Sequence, residues 1–247
     1  MQAHTLFISD LHLNAQRPDI TAAFVRFCEQ RASQAEALYI LGDLSDAWLG
    51  DDDDSEIAAI LREQVSQLAK HGVSVFIMTG NRDFLMGQQF AHDCQCQLLD
   101  DPSVIELYGQ RVLLMHGDSM CTGDGEYMAF REQIRNPDMQ QLLLAKSLDE
   151  RRDIAAMLRA QSQSANAVKA ADIMDVTQSE VEQALRDHNV RTLIHGHTHR
   201  PNKHSFNMVD AKQQSITAYR YVLGDWDTHG WCINASHGSL KLESFPL

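Results

Sequence analysis

The chain has 247 residues, 44% hydrophobic and 22% charged, which allows a sizeable buried core and excludes a disordered or fibrous protein. Its formal net charge is −13 at pH 7, so a phosphate backbone repels it and no nucleic-acid partner is expected. No apolar stretch approaches the roughly 18 to 20 residues of a membrane span. The start, Met1-Gln2-Ala3-His4, enters a strand-like run without a basic region and apolar signal core, which predicts a cytoplasmic protein. Segments 5–9, 37–41, 73–79 and 111–115 read as buried strands. Helical spacing occupies 19–31 and 55–71. In the second of these, Ile57, Ile60, Leu61, Val65 and Leu68 form a stripe between a Ser55 cap and a Gly72 stop. Strand and helix in alternation predict an α/β fold. Residues 123–175 carry no strand pattern and read as helices over 125–135, 139–146, 149–159 and 164–173. A further helix is expected at 178–188, followed by strands at 191–194, 219–223, 231–235 and 240–244 that form a second sheet surface. The expectation is one domain over 1–247 with a helical cap, 123–175, inserted in it.

That insertion has its own chemistry. Within 131–170 seven bases face five acids, a local balance of +2 inside an acidic chain, together with Leu142, Leu143, Leu144, Met157 and Leu158. Two readings stay open: a surface for an anionic amphiphile, or an ordinary helical subdomain with solvated charges. The five cysteines, Cys28, Cys94, Cys96, Cys121 and Cys232, are odd in number and show only C-x-C spacing, which predicts reduced thiols. Asp51–Asp54 reads as a solvated loop or a cation attractor, and Trp48 as core or as a floor beneath the site. No phosphate-binding glycine loop and no Gly-x-Ser-x-Gly occurs, which disfavours nucleotide-cofactor and serine-hydrolase chemistry.

Five clusters follow expected strands: Asp10-Leu11-His12, Gly42-Asp43, Gly80-Asn81-Arg82-Asp83, His116-Gly117-Asp118 and His195-Gly196-His197-Thr198-His199. Each alone is weak; a lone His116 is more often a satisfied strand-end histidine than a ligand. Together they supply carboxylate, imidazole and amide oxygen, the donor set of hard or borderline divalent cations. In α/β sheets the carboxyl ends of strands are where sites form.

These motifs resemble the calcineurin-like metallophosphoesterases: D-x-H, G-D, G-N-x-D, H-G-D and G-H-x-H, from Asp10 to His199. The resemblance implies an α/β/β/α sandwich holding two divalent metal ions. It implies that Asp10, His12, Asp43 and His199 hold one ion. Asp43, Asn81, His116 and His197 would hold the other, with Asp43 bridging and His195 a strand-end support. Many members carry histidine where this chain has Arg82. Arginine stays protonated and is no general acid, but it stabilises phosphoryl charge. That favours a phosphate leaving group and pyrophosphate cleavage. Asp83 either holds Arg82 or caps a turn.

Longer runs are similar to the bacterial UDP-2,3-diacylglucosamine hydrolases. They are Thr5 to Leu13, Tyr39 to Leu44, Ala47 to Asp52, Gly80 to Leu85, the cap residues Arg159-Ala160, Ser162, Ala165-Asn166, Lys169 and Ile173 to Val176, and Leu193 to Pro201. This likeness implies Mn²⁺ as the cofactor and UDP-2,3-diacylglucosamine as the substrate, cleaved by water at the α-phosphorus to UMP and 2,3-diacylglucosamine 1-phosphate for lipid A synthesis. It implies a peripheral position on the anionic cytoplasmic face of the inner membrane and no obligate protein partner. Arg82, Asn81 and His197 are the implied catalytic residues, and Asp124, Arg159, Ser162, Asn166 and Lys169 join them as substrate contacts. Two rival expectations are a soluble nucleotide-diphosphate hydrolase or phosphodiesterase on the same scaffold, and a metal-loaded binding scaffold without turnover.

Overall fold

The computed structural model describes residues 3–166 and 175–247, without the side chains of Gln163, Ala165 and Asn166. Strands β1 (Thr5–Ile8), β2 (Ala37–Leu41), β3 (Ser74–Met78) and β4 (Gln97–Leu99) run parallel. On the other side of β1, β10 (His229–Ser236) and β11 (Ser239–Pro246) pair antiparallel, which gives a six-stranded sheet ordered β11-β10-β1-β2-β3-β4. The second sheet is ordered β5-β6-β7-β9-β8, from β5 (Ser103–Leu107), β6 (Gln110–Leu114), β7 (Thr192–His195), β8 (Asn202–Val209) and β9 (Ser215–Val222).

Alternating side chains build the layers, because neighbours along a strand point to opposite faces. Leu6 and Ile8 face the outer core with Ile20, Phe24, Leu61 and Val65 of helices α1 (Pro18–Gln30) and α2 (Glu56–Lys70). Phe7 between them faces inward, where Leu41 and Met78 meet Val112, Leu114 and Ile194 of the second sheet. Leu113, Met115 and Leu193 then face away, onto Val181 and Leu185 of helix α7 (Gln178–Asp187). The order is helix, sheet, sheet, helix, the expected four-layer α/β architecture.

The strands expected at 37–41 and 111–115 and both early helices sit within a residue or two of their expected bounds. Ser55 accepts from the Ala58 N–H and caps α2. The sequence reading missed helix α3 (Gln88–Cys94) and the strands β4, β5 and β8. Each of those strands is a sheet edge, or three residues long, where burial and alternation fade.

Between β6 and α7 lie helices α4 (Gly125–Arg135), α5 (Pro137–Leu144) and α6 (Leu148–Asn166). Here one expectation is corrected. The break anticipated between 159 and 164 is absent, and α6 runs through it. No Gly or Pro interrupts the stretch, and Ser164 Oγ donates to the Ala160 carbonyl one turn back (2.9 Å). The remainder of the expected helix, 167–173, and Lys169 with it, lies outside the described residues. The Asp51–Asp54 loop is not a bare solvated run. Asp51 accepts from the Gly87 and Phe90 N–H groups (2.9 and 3.1 Å), Asp52 grips Arg151 of α6, and Asp53 is buried at the start of α2. Trp48 is core, edge-on to Phe90.

Candidate metal centre

Parallel strands end together, so the five motif loops emerge at one edge of the sandwich. Asp10 and His12 follow β1, Asp43 follows β2, and Asn81 and Arg82 follow β3. His116 follows β6, and His197 and His199 follow β7. Asp10, His12, Asp43, His197 and His199 all hold φ between +49° and +66°. For residues with a Cβ this region is costly and persists where the surroundings over-determine it. Gly42, at φ +92°, has no room for a side chain, because a Cβ would lie 2.5 Å from His116 Nδ1.

The side chains form two groups whose ligand atoms lie within 4.8 Å of one another: Asp10, His12 and His199, and Asp43, His116 and His197. Asn81 Oδ1 joins the second, 3.1 Å from His116 Nε2 and 3.0 Å from His197 Nδ1. Asp43 reaches both, with Oδ2 3.8 Å from His12 Nε2 and Oδ1 3.7 Å from His116 Nε2. His12 and His199 turn their Nε2 atoms toward each other at 3.1 Å. Outer partners fix these orientations. His116 Nδ1–H donates to the Leu41 carbonyl (2.8 Å), and His199 Nδ1 faces Asp225 Oδ2 (3.3 Å). His195 is fully buried, belongs to neither group, and donates from Nδ1 to the Gly196 carbonyl.

The electrostatics fit a cation site. Burial works to raise the Asp10 pKa, but the His199 hydrogen bond and the His199, His116 and His12 charges hold it below the usual carboxylate range. Burial pushes Asp43 up. Burial and the His199 charge bring His12 down to about 4, and burial and the His116 charge bring His197 down to about 3. Both rings are therefore neutral, as ligands must be. The facing nitrogens, the buried carboxylate between both groups and the neutral amide oxygen suit two divalent cations.

Arg82 projects beside the centre. Its N–H donates to Asp43 Oδ1 (2.8 Å) and its Nη2 to Ser162 Oγ (3.2 Å), while Nε is buried without a partner. Asp83 takes the turn-capping role: it accepts from the Leu44 and Gly80 N–H groups (2.8 and 2.6 Å) and does not hold the Arg82 side chain. Burial and the Asp43 charge push it up to about 6. From Asn81 and Arg82 a cavity extends between Trp48, Leu85, Phe130 and Leu143. Its far wall is one stripe of α6, Arg151, Ile154, Ala155, Leu158, Arg159 and Ser162. Arg159 pairs with Asp46 (2.8 Å), and Asp124 is nearly buried and caps α4 through the Tyr127 N–H. The side chains of Asn166 and Lys169 lie outside the described residues. Sequence reasoning missed Asp225, Asp46 and Tyr127. The Tyr127 ring lies 5.5 Å from that of His197, and its hydroxyl donates to Asp118 Oδ2 (3.1 Å). Only Asp118 had a sequence signal, as the end of His-Gly-Asp.

Residues 3–201 match the family described as calcineurin-like phosphoesterase. The chain is 50% identical to the UDP-2,3-diacylglucosamine hydrolase of Cellvibrio japonicus, over 99% of this chain and 100% of that one. It is 49% identical to the enzyme of that name from Pseudomonas aeruginosa and 47% to that from Escherichia coli O81, each over 98% of this chain and 99% of the other. With the motif residues gathered at one edge of a four-layer sandwich, the chain belongs to the calcineurin-like phosphoesterase family and, within it, to the group of the UDP-2,3-diacylglucosamine hydrolases.

Proposed function

We propose that the chain hydrolyses UDP-2,3-diacylglucosamine to UMP and 2,3-diacylglucosamine 1-phosphate, with Mn²⁺ as the metal. The observation that carries this reading is the continuity of the paired cation groups with a largely apolar cavity through Asn81 and Arg82. A small soluble nucleotide has no use for such a wall. Near-full-length identity to hydrolases of that name supports it.

Asp10, His12, Asp43 and His199 would hold one cation, and Asp43, Asn81, His116 and His197 the other. When bound, such a pair neutralises phosphoryl oxygens and acidifies water for attack on phosphorus. The chain's own residues do the rest. Arg82 directs its guanidinium at the phosphoryl oxygens and stabilises the charge that develops there. The departing group is itself a phosphate, so no side chain has to protonate it. Asn81 and His197 hold the phosphoryl group at the centre. Arg159, Ser162 and Asp124, with Asn166 and Lys169, contact the glucosamine and its phosphate. Residues 123–175 act as a cap over the acyl chains on a single domain. Leu142, Leu144 and Met157, which are 64%, 43% and 52% exposed on α5 and α6, support a peripheral position on the anionic cytoplasmic face of the inner membrane.

The test is release of UMP from the diacylated substrate and from its deacylated counterpart with Mn²⁺ present. A much higher kcat/KM for the diacylated form is expected. Equal values would overturn the lipid reading in favour of a soluble nucleotide-diphosphate hydrolase, and no turnover of either would favour a binding scaffold.

A further inference from the structure

Helix α4 approaches the metal centre with one face. Tyr127, Arg131 and Arg135 recur every four residues, so they lie on one stripe of the helix. Two of them meet at Asp118 in the loop after β6, and the third, Arg135, reaches the loop after β3 while its Nη2 stays 3.9 Å from the same Asp118 oxygen. Tyr127 lies against the His197 ring and donates to Asp118 Oδ2. Arg131 Nε donates to the same carboxylate oxygen at 2.9 Å, two residues beyond His116. Arg135 spans the loop before Asn81: Nη1 donates to Thr79 Oγ1 (2.9 Å), and Nη2 to the Thr79 and Gly80 carbonyls (3.0 Å each).

The Gly80 contact matters most. The Gly80 carbonyl belongs to the peptide that joins Gly80 to Asn81. The Gly80 N–H is already held by Asp83 Oδ1 at 2.6 Å. A Cβ on Gly80 would lie 2.2 Å from Asp43 Oδ1, so the loop is pressed against the shared carboxylate. Two residues on, the Arg82 N–H donates to that same oxygen. Asp83 and Asp43 thus hold the N–H groups flanking Asn81, and Arg135 alone among the described side chains holds the carbonyls before it. A guanidinium does this well because its planar fork grips two acceptors at once, which an ammonium cannot reproduce.

We infer that Arg135 is a positioning residue that acts through Asn81: by fixing the Thr79 and Gly80 carbonyls it sets the amide oxygen for the second cation, the one held with Asp43, His116 and His197. The inference rests on the two-cation part of the proposed function and not on the lipid substrate. Groups one step removed from metal ligands change metal affinity by about 10- to 100-fold when removed. Cation binding is therefore the direct readout.

The experiment is titration of the cation-free protein with Mn²⁺, followed by calorimetry and by the spin-coupled signal of a manganese pair. Wild type, Asn81→Ala, Arg135→Ala, Arg135→Lys and the Asn81→Ala/Arg135→Ala double variant are compared. Asn81→Ala identifies which of two binding steps depends on the amide. Arg135→Ala should weaken that same step by about 10- to 100-fold and leave the other unchanged. Arg135→Lys should fall between, and the double variant should bind no more weakly than Asn81→Ala alone. If Arg135→Ala folds poorly, the lysine variant carries the test, with a smaller loss in the same step. Equal weakening of both steps, no weakening, or additive losses in the double variant would overturn the inference. A wild type that takes fewer than two Mn²⁺ overturns it together with the two-cation reading. Two bound Mn²⁺ without UMP release overturns only the lipid reading.

Discussion

His116 and His199 stand apart from the other two imidazoles of the centre. Burial works to lower the His116 pKa, but the Asp43, Asp118 and Asp10 charges overcome it and raise it to about 9. At His199 burial is likewise outweighed, by hydrogen bonds to Asp10 and Asp225, and the ring is raised to about 10. Both rings therefore carry a proton at pH 7.5 when no cation is present, and a cation must displace it. Affinity for Mn²⁺ should rise with pH up to about 9 to 10, following those two groups, and level off above. Calorimetry in two buffers of different ionisation enthalpy should count roughly two protons released per protein; heats independent of the buffer would refute this. Arg82 makes a second prediction at this scale. Among the described residues its guanidinium bonds only to Ser162 on α6 and to nothing in its own loop, so the side chain does not brace that loop. Arg82→Ala should lower kcat by roughly 100- to 1,000-fold while both Mn²⁺ ions remain, and lysine should restore only part of the rate. Parallel loss of metal and rate would assign Arg82 to the scaffold.

At the scale of the elements, three adjacent leucines separate by face. Leu143 is half-buried, packs on the main core and lines the cavity, whereas Leu142 and Leu144 point outward. Leu143→Asn should reduce kcat/KM for the diacylated substrate by about tenfold or more, since fully burying a leucine-sized group contributes about 1.5 to 3 kcal/mol. Turnover of a water-soluble phosphodiester should hardly change. Equal loss on both would make Leu143 a residue of the fold alone. The sequence shows the three leucines but not this division, because α5 is short and its phase is set by the Asn136 cap, which accepts from the Asp138 and Met139 N–H groups. The same limit recurs elsewhere. The central strands were legible because Leu6, Phe7 and Ile8, or Leu113, Leu114 and Met115, are apolar on both faces. Edge strand β8 was not, since Lys203, Ser205 and Asn207 face water. That the carboxylates and imidazoles meet was legible because each sits directly after a strand. Tyr127, Arg131 and Arg135 were not, because a tyrosine and two arginines on a polar helix gain meaning only from the loops they reach.

Across the whole molecule charge is unevenly placed. Residues 131–170 carry +2, and the chain as a whole −13. The insertion 123–175 as a whole carries −2, so an anionic membrane repels it far less than the remainder of the chain, and the protein should approach with α5 and α6 foremost. Part of the basic charge is already committed, however. Arg151 pairs with Asp52, Arg152 with Asp54 and Asp149, and Arg159 with Asp46. These pairs tie α6 to the loops at 46–54 and leave less charge to face lipid headgroups. The apolar contacts of Leu142, Leu144 and Met157 should therefore supply most of the membrane affinity. Co-sedimentation with vesicles containing anionic phospholipid separates the two contributions. Leu142→Ser/Leu144→Ser should abolish most binding yet leave turnover of a soluble phosphodiester intact. Raising salt from 0.05 to about 0.5 M should weaken wild-type binding only by several-fold, since surface charges are screened within about 8 Å near physiological ionic strength. Loss of all binding in salt, with the leucine variant binding as wild type, would show that charge holds the protein to the membrane and that the exposed leucines do not insert.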